Sequence, residues 1–439
     1  MKQYYAGVFL LFACFFCHAQ LYFPPKTGDS WEAIAPAALG WNTMAIPDLI
    51  QFLDEKNTKA FIVLKDGKIA IEQYFDTFTK DSVWYWASAG KSLASCLVGI
   101  AQQEGLLDIH DKTSDYLGKG WTSAPPEKED QITIWHQITM TSGLDDGIAP
   151  TPTVPDPDNC LEPACLQYLT DAGQRWAYHN APYRLVQDVV AAASGQSWQQ
   201  FTNQRIKAKI GMEGGWFNYV YWSRPRDMAR FGLLVLNKGI WDGVPILSDT
   251  AYYQQMINTS QNLNKSYGYL WWLNGKGSFI LPQAQFIFPY DMLPSAPDEV
   301  FMALGKDDQK IYIYPSQNIV VIRMGESAEG KLALSAFDDA LWAKLMPVFS
   351  TTTASTSLQL NSLQVQIYPN PGADKVYFSN IDMGEVKRID LFNAFGSKIK
   401  SWQDDPRQGL QLESLEPGIF FFNIQKQDHT RLTLKWVKN

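Results

Sequence analysis

The stretch VFMALGKDDQKIYIYPSQNIVVIRMG, from Val300 to Gly325, decides the fold class. Apolar and polar residues alternate around Ile311 and Ile313, and an apolar run extends from Ile319 to Ile322. Alternation with a period of two is typical of β-strands. An earlier stretch, FIVLKDGKIAIEQYF at residues 61–75, has two apolar runs around Lys-Asp-Gly-Lys and predicts a hairpin.

The sequence between these strands is helical in character. A helical pattern runs from Ser88 to about Leu107, and helices with long loops are predicted as far as Lys276. Another helix is predicted from Lys331 to Met346, since Leu334, Phe337, Leu341 and Leu345 share one face. Strands at both ends of a unit with a helical centre imply that the ends meet in one sheet. The predicted class is therefore α+β with an inserted helical region.

The chain of 439 residues is too long for one average domain. We expect a signal peptide at residues 1–19, a main domain at 20–346, a Ser/Thr-rich linker at 347–362 and a tail at 363–439. The tail consists of short alternating segments separated by Pro, Gly, Asn and Asp. That spacing predicts a small β-sandwich.

The net charge and the hydropathy of the chain bear on whether it binds nucleic acid or spans a membrane. The net charge of -8 gives no basic footprint for nucleic acid. The apolar run from Ala6 to Phe16 is about half of the ~20 residues that span a bilayer, and no later segment is long enough. We therefore expect a secretory signal, transit through the periplasm and no transmembrane segment in the mature chain, with lipid attachment at Cys14 as the alternative.

Three cysteines remain after the signal. Cys160 and Cys165 are expected to form a disulfide in an oxidising compartment. Cys96 lies in an apolar helical stretch and is expected to be a buried thiol. A zinc site is disfavoured because the histidines show no ligand spacing around the cysteine pair. No metal ion or organic cofactor is expected.

The stretch WASAGKSLASCL, from Trp86 to Leu97, carries two possible motifs. Gly90-Lys91-Ser92 would end a phosphate-binding loop, but such a loop needs glycine where this chain has Tyr85. Ser88 and Lys91 instead lie three residues apart on a predicted helix, so the amine can take the hydroxyl proton. The alternative for Ser88 is a helix N-cap, with Lys91 exposed in the first turn.

About ninety residues later the chain has Tyr178-His179-Asn180, directly before another predicted helix. A tyrosine beside a lysine can relay protons. An asparagine can hydrogen-bond a substrate amide or fix the lysine.

In combination, these motifs resemble the serine β-lactamase and penicillin-binding protein superfamily, including its esterase and oligoamide-hydrolase branches. The resemblance implies an antiparallel sheet flanked by helices, beside an all-helical region. It also implies that Ser88 is the acylated nucleophile, Lys91 its base or base partner, and Tyr178 the general base and acid. Asn180 matches the third place of the tyrosine motif. The resemblance extends from Phe61 to Gly325 and includes Ile132–Leu144, Arg226–Gly243 and Ser266–Trp272.

The third motif of that superfamily is where this chain departs. Its late-strand equivalent is Ala303-Leu304-Gly305, without Lys or His at the first place. Lys306 follows and is the candidate substitute cation for a substrate carboxylate. The backbone N–H groups of Ser88 and Lys306 are the expected oxyanion donors. Six aromatic residues near the motifs could wall a pocket for an apolar acyl or amide group, with core packing as the alternative for each: Trp176, Trp216, Tyr221, Trp222, Trp271 and Trp272. Trp222 is the candidate substrate contact among them.

The tail, with IYPNPGADKVYF and LQLESLEPGIFFFNI, resembles the C-terminal sorting domain of type IX secreted proteins. This resemblance implies recognition by that secretion machinery, export across the outer membrane and a secreted or cell-surface location. A carbohydrate-binding sandwich is the alternative.

The leading functional hypothesis is a secreted serine hydrolase that cleaves an ester or amide of a small molecule or short peptide. One alternative is a β-lactamase or D-amino-acid peptidase or transpeptidase of the same fold. Another is a catalytically silent domain that binds cell-wall peptides or β-lactams, because the third motif is degenerate.

Overall fold

The computed structural model describes residues 21–328, 336–350, 365–379, 386–393, 398–402, 409–427 and 431–438. The predicted signal, most of the predicted linker and Leu334 lie outside these residues. The described helices are α1 (Ile46–Glu55), α2 (Gly90–Gln103), α3 (Ser114–Leu117), α4 (Pro126–Glu129), α5 (Ile134–Ile138), α6 (Asn180–Ser194), α7 (Trp198–Thr202), α8 (Ala208–Ile210), α9 (Pro225–Leu236), α10 (Thr250–Met256) and α11 (Ala336–Phe349). The described strands are β1 (Thr58–Lys65), β2 (Lys68–Tyr74), β3 (Trp84–Tyr85), β4 (Gly215–Phe217), β5 (Val220–Ser223), β6 (Ile240–Trp241), β7 (Val244–Pro245), β8 (Trp272–Leu273), β9 (Phe301–Gly305), β10 (Gln309–Tyr314), β11 (Ile319–Gly325), β12 (Gln366–Tyr368), β13 (Lys375–Ser379), β14 (Val386–Asn393), β15 (Lys398–Trp402), β16 (Leu410–Gln411), β17 (Gly418–Lys426) and β18 (Arg431–Lys438).

The central sheet joins the two ends of the main unit. Its strands lie in the order β2-β1-β11-β10-β9-β8 and pair antiparallel. The predicted hairpin at residues 61–75 forms β1 and β2, and the stretch from Val300 to Gly325 forms β9, β10 and β11. Because β1 pairs directly with β11, Val63 lies opposite Val321. The prediction that the ends meet in one sheet is confirmed, and so is the α+β class.

Helices cover both faces of this sheet, and successive residues of β10 face different helices. A side chain at Gly232 in α9 would overlap Val320 and crowd Ile311, so α9 packs closely on that face. The next residue, Tyr312, donates its hydroxyl to Asp338 of α11 at 2.6 Å. Side chains that alternate between faces explain why the period of two was visible in the sequence.

Helix α2 runs through the interior and begins beside the candidate nucleophile. Every residue from Gly90 to Ala101 is buried, as expected for an interior helix. Cys96 is a free buried thiol, as predicted. The helix ends before the predicted Leu107, because Gly105 adopts a left-handed φ of 69° just beyond Gln103.

A buried charge network ties α11 to the sheet. Lys310 Nζ lies 3.1 Å from Asp308 Oδ1 and 2.8 Å from Asp338 Oδ2, and all three side chains are fully buried. Arg323 is also buried and donates to the Asp308 carbonyl at 2.8 Å. Since Asp308 belongs to the turn after β9, the network also holds that turn.

The substitution Lys310→Met tests this network. We expect it to lower the free energy of unfolding by about 3–5 kcal/mol, because two buried carboxylates lose their cation. The control Lys344→Met removes an ion pair with Asp48 at the surface and should leave the stability close to that of the wild type. Urea denaturation measures both variants, and equal losses would contradict the prediction.

The last helix of the main unit differs from its predicted bounds. Helix α11 continues to Phe349, so the first residues of the predicted linker are helical despite Pro347. Packing explains the extension, since Val348 is fully buried and the Phe349 ring lies 4.8 Å from the ring of Trp41. Within the described ranges, no helix combines the length and apolar character needed to cross a membrane.

The described C-terminal strands form two small sheets, as the short alternating segments predict. One has the order β12-β13-β16 and the other β15-β14-β17-β18. Both sheets contribute to one apolar cluster, in which Phe378 of β13 lies 5.1 Å from Phe422 of β17 between ring centroids. Trp436 is fully buried in the same cluster. The tail therefore has its own core.

Candidate active site

Ser88 lies in a 3₁₀ turn, Ala87–Ala89, directly before α2. Two hydrogen bonds from Trp86, the residue before the turn, hold the turn against β5. The Trp86 backbone N–H donates to the Tyr221 carbonyl at 2.8 Å, and its indole N–H donates to Ser223 Oγ at 2.8 Å. Ala87 has a left-handed φ of 46°, an unfavourable conformation for a residue with a Cβ. The Ser88 side chain is half-buried and so remains reachable from solvent.

The N-cap interpretation of Ser88 is wrong. The cap of α2 is Ala89, and no side chain accepts a hydrogen bond there. Lys91 is only 4 % exposed, so it is not the solvated lysine of that alternative. Its Nζ donates to Ser88 Oγ at 2.9 Å and to Asn180 Oδ1 at 2.7 Å.

Aromatic rings enclose the Lys91 amine. Its Nζ lies 4.9 Å from the ring centroid of Tyr178 and 4.6 Å from that of Tyr183. Burial lowers the pKa of Lys91 to about 7, although the Asp158 carboxylate opposes this shift and Arg184 adds to it. Close to neutral pH a substantial fraction of the amine is unprotonated and can accept a proton.

Tyr178 precedes α6 and is buried. Its hydroxyl faces Ser88, whose side chain favours the ionised form of Tyr178, and its ring stacks on Trp272 with centroids 5.8 Å apart. Burial raises the pKa of Tyr178 above its ordinary value. The hydroxyl therefore stays protonated at neutral pH and can donate a proton or relay one.

Asn180 begins α6 and is held by Asp158, a residue that the sequence did not predict to be part of the site. The Asn180 backbone N–H donates to Asp158 Oδ1 at 2.9 Å, and its side-chain Nδ2 donates to Oδ2 at 2.6 Å. Asp158 lies in the Pro-rich loop stapled by the predicted disulfide, which the structure contains between Cys160 and Cys165. No local pattern singles out Asp158, because its partner is distant along the chain.

The end of β9 lies against the nucleophile turn. A Cβ added at Gly305 would lie 2.4 Å from the Trp86 carbonyl oxygen and 3.0 Å from the Ala89 nitrogen. Ala303 is buried within the strand, and Lys306 is exposed at the start of the following turn. The structure therefore brings the late-strand motif beside Ser88, while the Lys306 side chain faces solvent.

Trp222 lies on β5, in the separate three-stranded sheet β3-β5-β4. Its ring centroid lies 5.4 Å from that of Tyr85, whose hydroxyl donates to Asp307 at 2.7 Å. Trp222 is half-buried, and its indole N–H has no hydrogen-bond partner among the described residues. Tyr85 thus connects Trp222 to the turn after β9, and Trp222 is not among the hydrogen-bond partners of Ser88 and Lys91. Trp176, Tyr221, Trp271 and Trp272 are buried in the core.

The substitution Gly305→Ala tests the close approach of β9. The added Cβ would collide with backbone atoms, so we expect a loss of about 1–3 kcal/mol in the free energy of unfolding. The control Gly418→Ala adds a Cβ whose nearest neighbour is an ordinary 3.7 Å from it. Urea denaturation of both variants measures the difference; an unchanged stability for Gly305→Ala would refute the close approach.

Comparison with known proteins is consistent with this geometry. The beta-lactamase family model matches residues 49–335, and the model for secretion system C-terminal sorting domains matches residues 366–439. An uncharacterized protein of Alkalihalophilus pseudofirmus is 21% identical over 314 residues, which cover 62% of this chain and 84% of that protein. The 6-aminohexanoate-dimer hydrolase of Paenarthrobacter ureafaciens is 24% identical over 231 residues, which cover 46% of this chain and 58% of the hydrolase.

A solved structure from Bacillus anthracis, named as a candidate 6-aminohexanoate-dimer hydrolase, superposes with a TM-score of 0.56 at 17% identity. The superposition covers 75% of this chain and 89% of that one. At this identity the likeness shows a shared fold.

Proposed function

Because the chain belongs to the beta-lactamase family, as its match over residues 49–335 shows, we propose that it hydrolyses an ester or amide through an acyl-enzyme on Ser88. Family membership and the fold confirm the resemblance found in the sequence. The family consists typically of serine hydrolases, so hydrolysis is the general activity. The nucleophile, the mechanism and the substrate class are the proposal.

One observation supports the proposed acyl-enzyme mechanism most directly. The Lys91 amine is 2.9 Å from Ser88 Oγ, and burial brings the pKa of Lys91 to about 7. A neutral amine at hydrogen-bond distance can remove the serine proton, which an ordinary solvated lysine cannot do efficiently at neutral pH.

The proposed reaction has two stages, acylation and deacylation of Ser88. Lys91 takes the Ser88 proton, and Oγ attacks the carbonyl carbon while the π-electrons move to the carbonyl oxygen. We assign the N–H groups of Ser88 and Lys306 to that oxyanion. The carbon–leaving-group bond then breaks as Tyr178 donates a proton to the departing oxygen or nitrogen. Lys91 returns its proton to Tyr178, which restores both groups. Lys91 then takes a proton from a water molecule that attacks the acyl carbon, the carbon–Oγ bond breaks, and the proton passes from Lys91 to Oγ, which releases the acid and free Ser88.

The late-strand motif Ala303-Leu304-Gly305 favours substrates that have no carboxylate for the enzyme to bind. Ala303 cannot supply a cation, and the Lys306 side chain is exposed. We therefore rank linear esters and amides above β-lactams and D-peptides, which carry a carboxylate beside the reacting group. Gly305 and Trp222 remain the proposed substrate contacts. Ala303 is buried within β9, and the Asn180 amide is engaged on both sides by Asp158 and Lys91, so we no longer assign these two residues to the substrate.

The C-terminal sorting domain supports secretion or a cell-surface location. We propose that type IX secretion machinery recognises this domain. A small molecule or short peptide outside the cell is then the substrate.

A substrate panel tests the proposal. The full chain is incubated with a 4-nitrophenyl ester, linear amides, a chromogenic β-lactam and D-alanyl peptides, and with a fluorophosphonate probe. We expect probe labelling and turnover of esters or linear amides. An unlabelled protein that binds β-lactams or cell-wall peptides without turnover would instead support the silent binding domain, and preferential β-lactam or D-peptide turnover would support the other alternative.

A further inference from the structure

Asp158 accepts hydrogen bonds from the backbone and the side chain of Asn180, the first residue of α6. Its two carboxylate oxygens accept separately from the Asn180 backbone N–H at 2.9 Å and from Asn180 Nδ2 at 2.6 Å. The first N–H groups of a helix lack partners within the helix, and a carboxylate at that end is favourable. Asp158 therefore anchors the helix terminus and one side of the Asn180 amide together.

These two hydrogen bonds determine which atom of the Asn180 side chain faces Lys91. A side-chain amide has an acceptor oxygen on one side and a donor NH₂ on the other. With Nδ2 bound to Asp158, Oδ1 is directed to Lys91 Nζ at 2.7 Å. A flipped amide would present its N–H groups to the amine and would lose both interactions.

We propose that Asp158 is a positioning residue that fixes the orientation of Asn180 and, through it, the place of Lys91 beside Ser88. This inference rests on the proposed function, since it assigns Lys91 a catalytic task. Asp158 itself touches Asn180 and is separated from Ser88 by two intervening side chains.

The loop that carries Asp158 is also held by contacts on the C-terminal side of that residue. Arg184 lies one turn beyond Asn180 on α6 and donates to the carbonyl of Asn159 at 3.3 Å. The Cys160–Cys165 disulfide follows immediately and closes a short loop. These contacts directly after Asp158 help to hold its carboxylate at the helix terminus.

Charged and titratable groups reach Lys91 from three directions. Asp158 lies on the loop, Arg184 and Tyr183 lie on α6, and Tyr178 precedes that helix. Asp158 raises the pKa of Lys91, whereas burial and Arg184 lower it. Removal of the Asp158 charge therefore lowers this pKa further. Because the unprotonated amine is the active form, the acid limb of the rate profile should move to lower pH.

The test compares Asp158→Asn with Glu162→Gln in the full chain. Both substitutions remove one carboxylate charge from the same loop, but Glu162 is exposed and has no side-chain hydrogen bond within the described residues. Asp158→Asn is isosteric and retains an acceptor for the Asn180 backbone N–H. Its own NH₂ group, however, cannot accept from Asn180 Nδ2.

The measured quantity is the second-order rate constant for acylation by a fluorophosphonate as a function of pH. For Asp158→Asn we expect the plateau rate constant to fall about 10- to 100-fold, the range for loss of a hydrogen bond to a charged group. The acid limb should also shift to lower pH. Glu162→Gln should retain the wild-type plateau and limb, which would support the proposal.

The outcomes separate this inference from the function on which it rests. A wild-type protein that is never acylated would overturn both. An acylated wild type with an unchanged Asp158→Asn profile would overturn the positioning role alone. A lower plateau rate constant with an unshifted acid limb would also overturn the positioning role. That result is expected if Asp158→Asn merely reduces the fraction of correctly folded protein, because misfolding lowers the rate at every pH by the same factor.

Discussion

Ser88→Ala is expected to lower kcat for ester or amide hydrolysis about 10³-fold or more, by analogy with other acyl-enzyme nucleophiles. The variant retains Lys91, Tyr178 and the β9 strand, but no oxygen remains to form the acyl bond. The fold should persist, because Ser88 is half-buried and caps no helix. Initial rates with the best substrate of the panel measure the effect.

Ser92→Ala is the matched control. Ser92 lies on the same helix and belongs to the rejected phosphate-loop motif, and its hydroxyl donates to the Leu270 carbonyl at 2.7 Å. This variant should lose some stability and keep turnover close to the wild-type rate. Comparable rates for Ser88→Ala and the wild type would exclude Ser88 as the nucleophile.

Lys91→Met should have the second large effect. Methionine has a similar length but no amine, so removal of the general base is expected to lower the rate about 10²- to 10⁴-fold. The wild-type rate should increase as the pH rises through the pKa of Lys91, which burial lowers to about 7. In Lys91→Met this acid limb should disappear.

Lys112→Met is the control for Lys91→Met. Lys112 is exposed and pairs with Asp130 at 3.3 Å. Its replacement should leave both the rate and the pH profile unchanged. A wild-type acid limb that survives in Lys91→Met would assign the titration to another group and would contradict the role of Lys91.

Local patterns predicted the elements whose structure depends on near neighbours. The strands from Val300 to Gly325 and the hairpin at residues 61–75 were visible because alternating faces leave a period of two in the sequence. Ser88 and Lys91 could be paired because a separation of three brings side chains together on a helix. Tyr178 and Asn180 required the family resemblance, since no spacing rule links them to Lys91.

Other features depend on contacts that sequence patterns do not encode. Asp158 meets Asn180 only because the stapled loop folds back on α6. The extension of α11 to Phe349 follows from packing against Trp41, which overrides the unfavourable Pro347. The motif at Gly305 could be placed on a late strand, but its approach to the Trp86 carbonyl arises from tertiary packing.

Trapping the covalent intermediate tests the central claim most directly. The full chain is quenched with acid during turnover of a 4-nitrophenyl ester and analysed by intact mass and peptide mapping. The proposed function predicts one acyl group on the peptide that contains Ser88, and none on Ser88→Ala. An acyl group on another residue, or sustained turnover with no adduct in either protein under conditions that trap known acyl-enzymes, would contradict it.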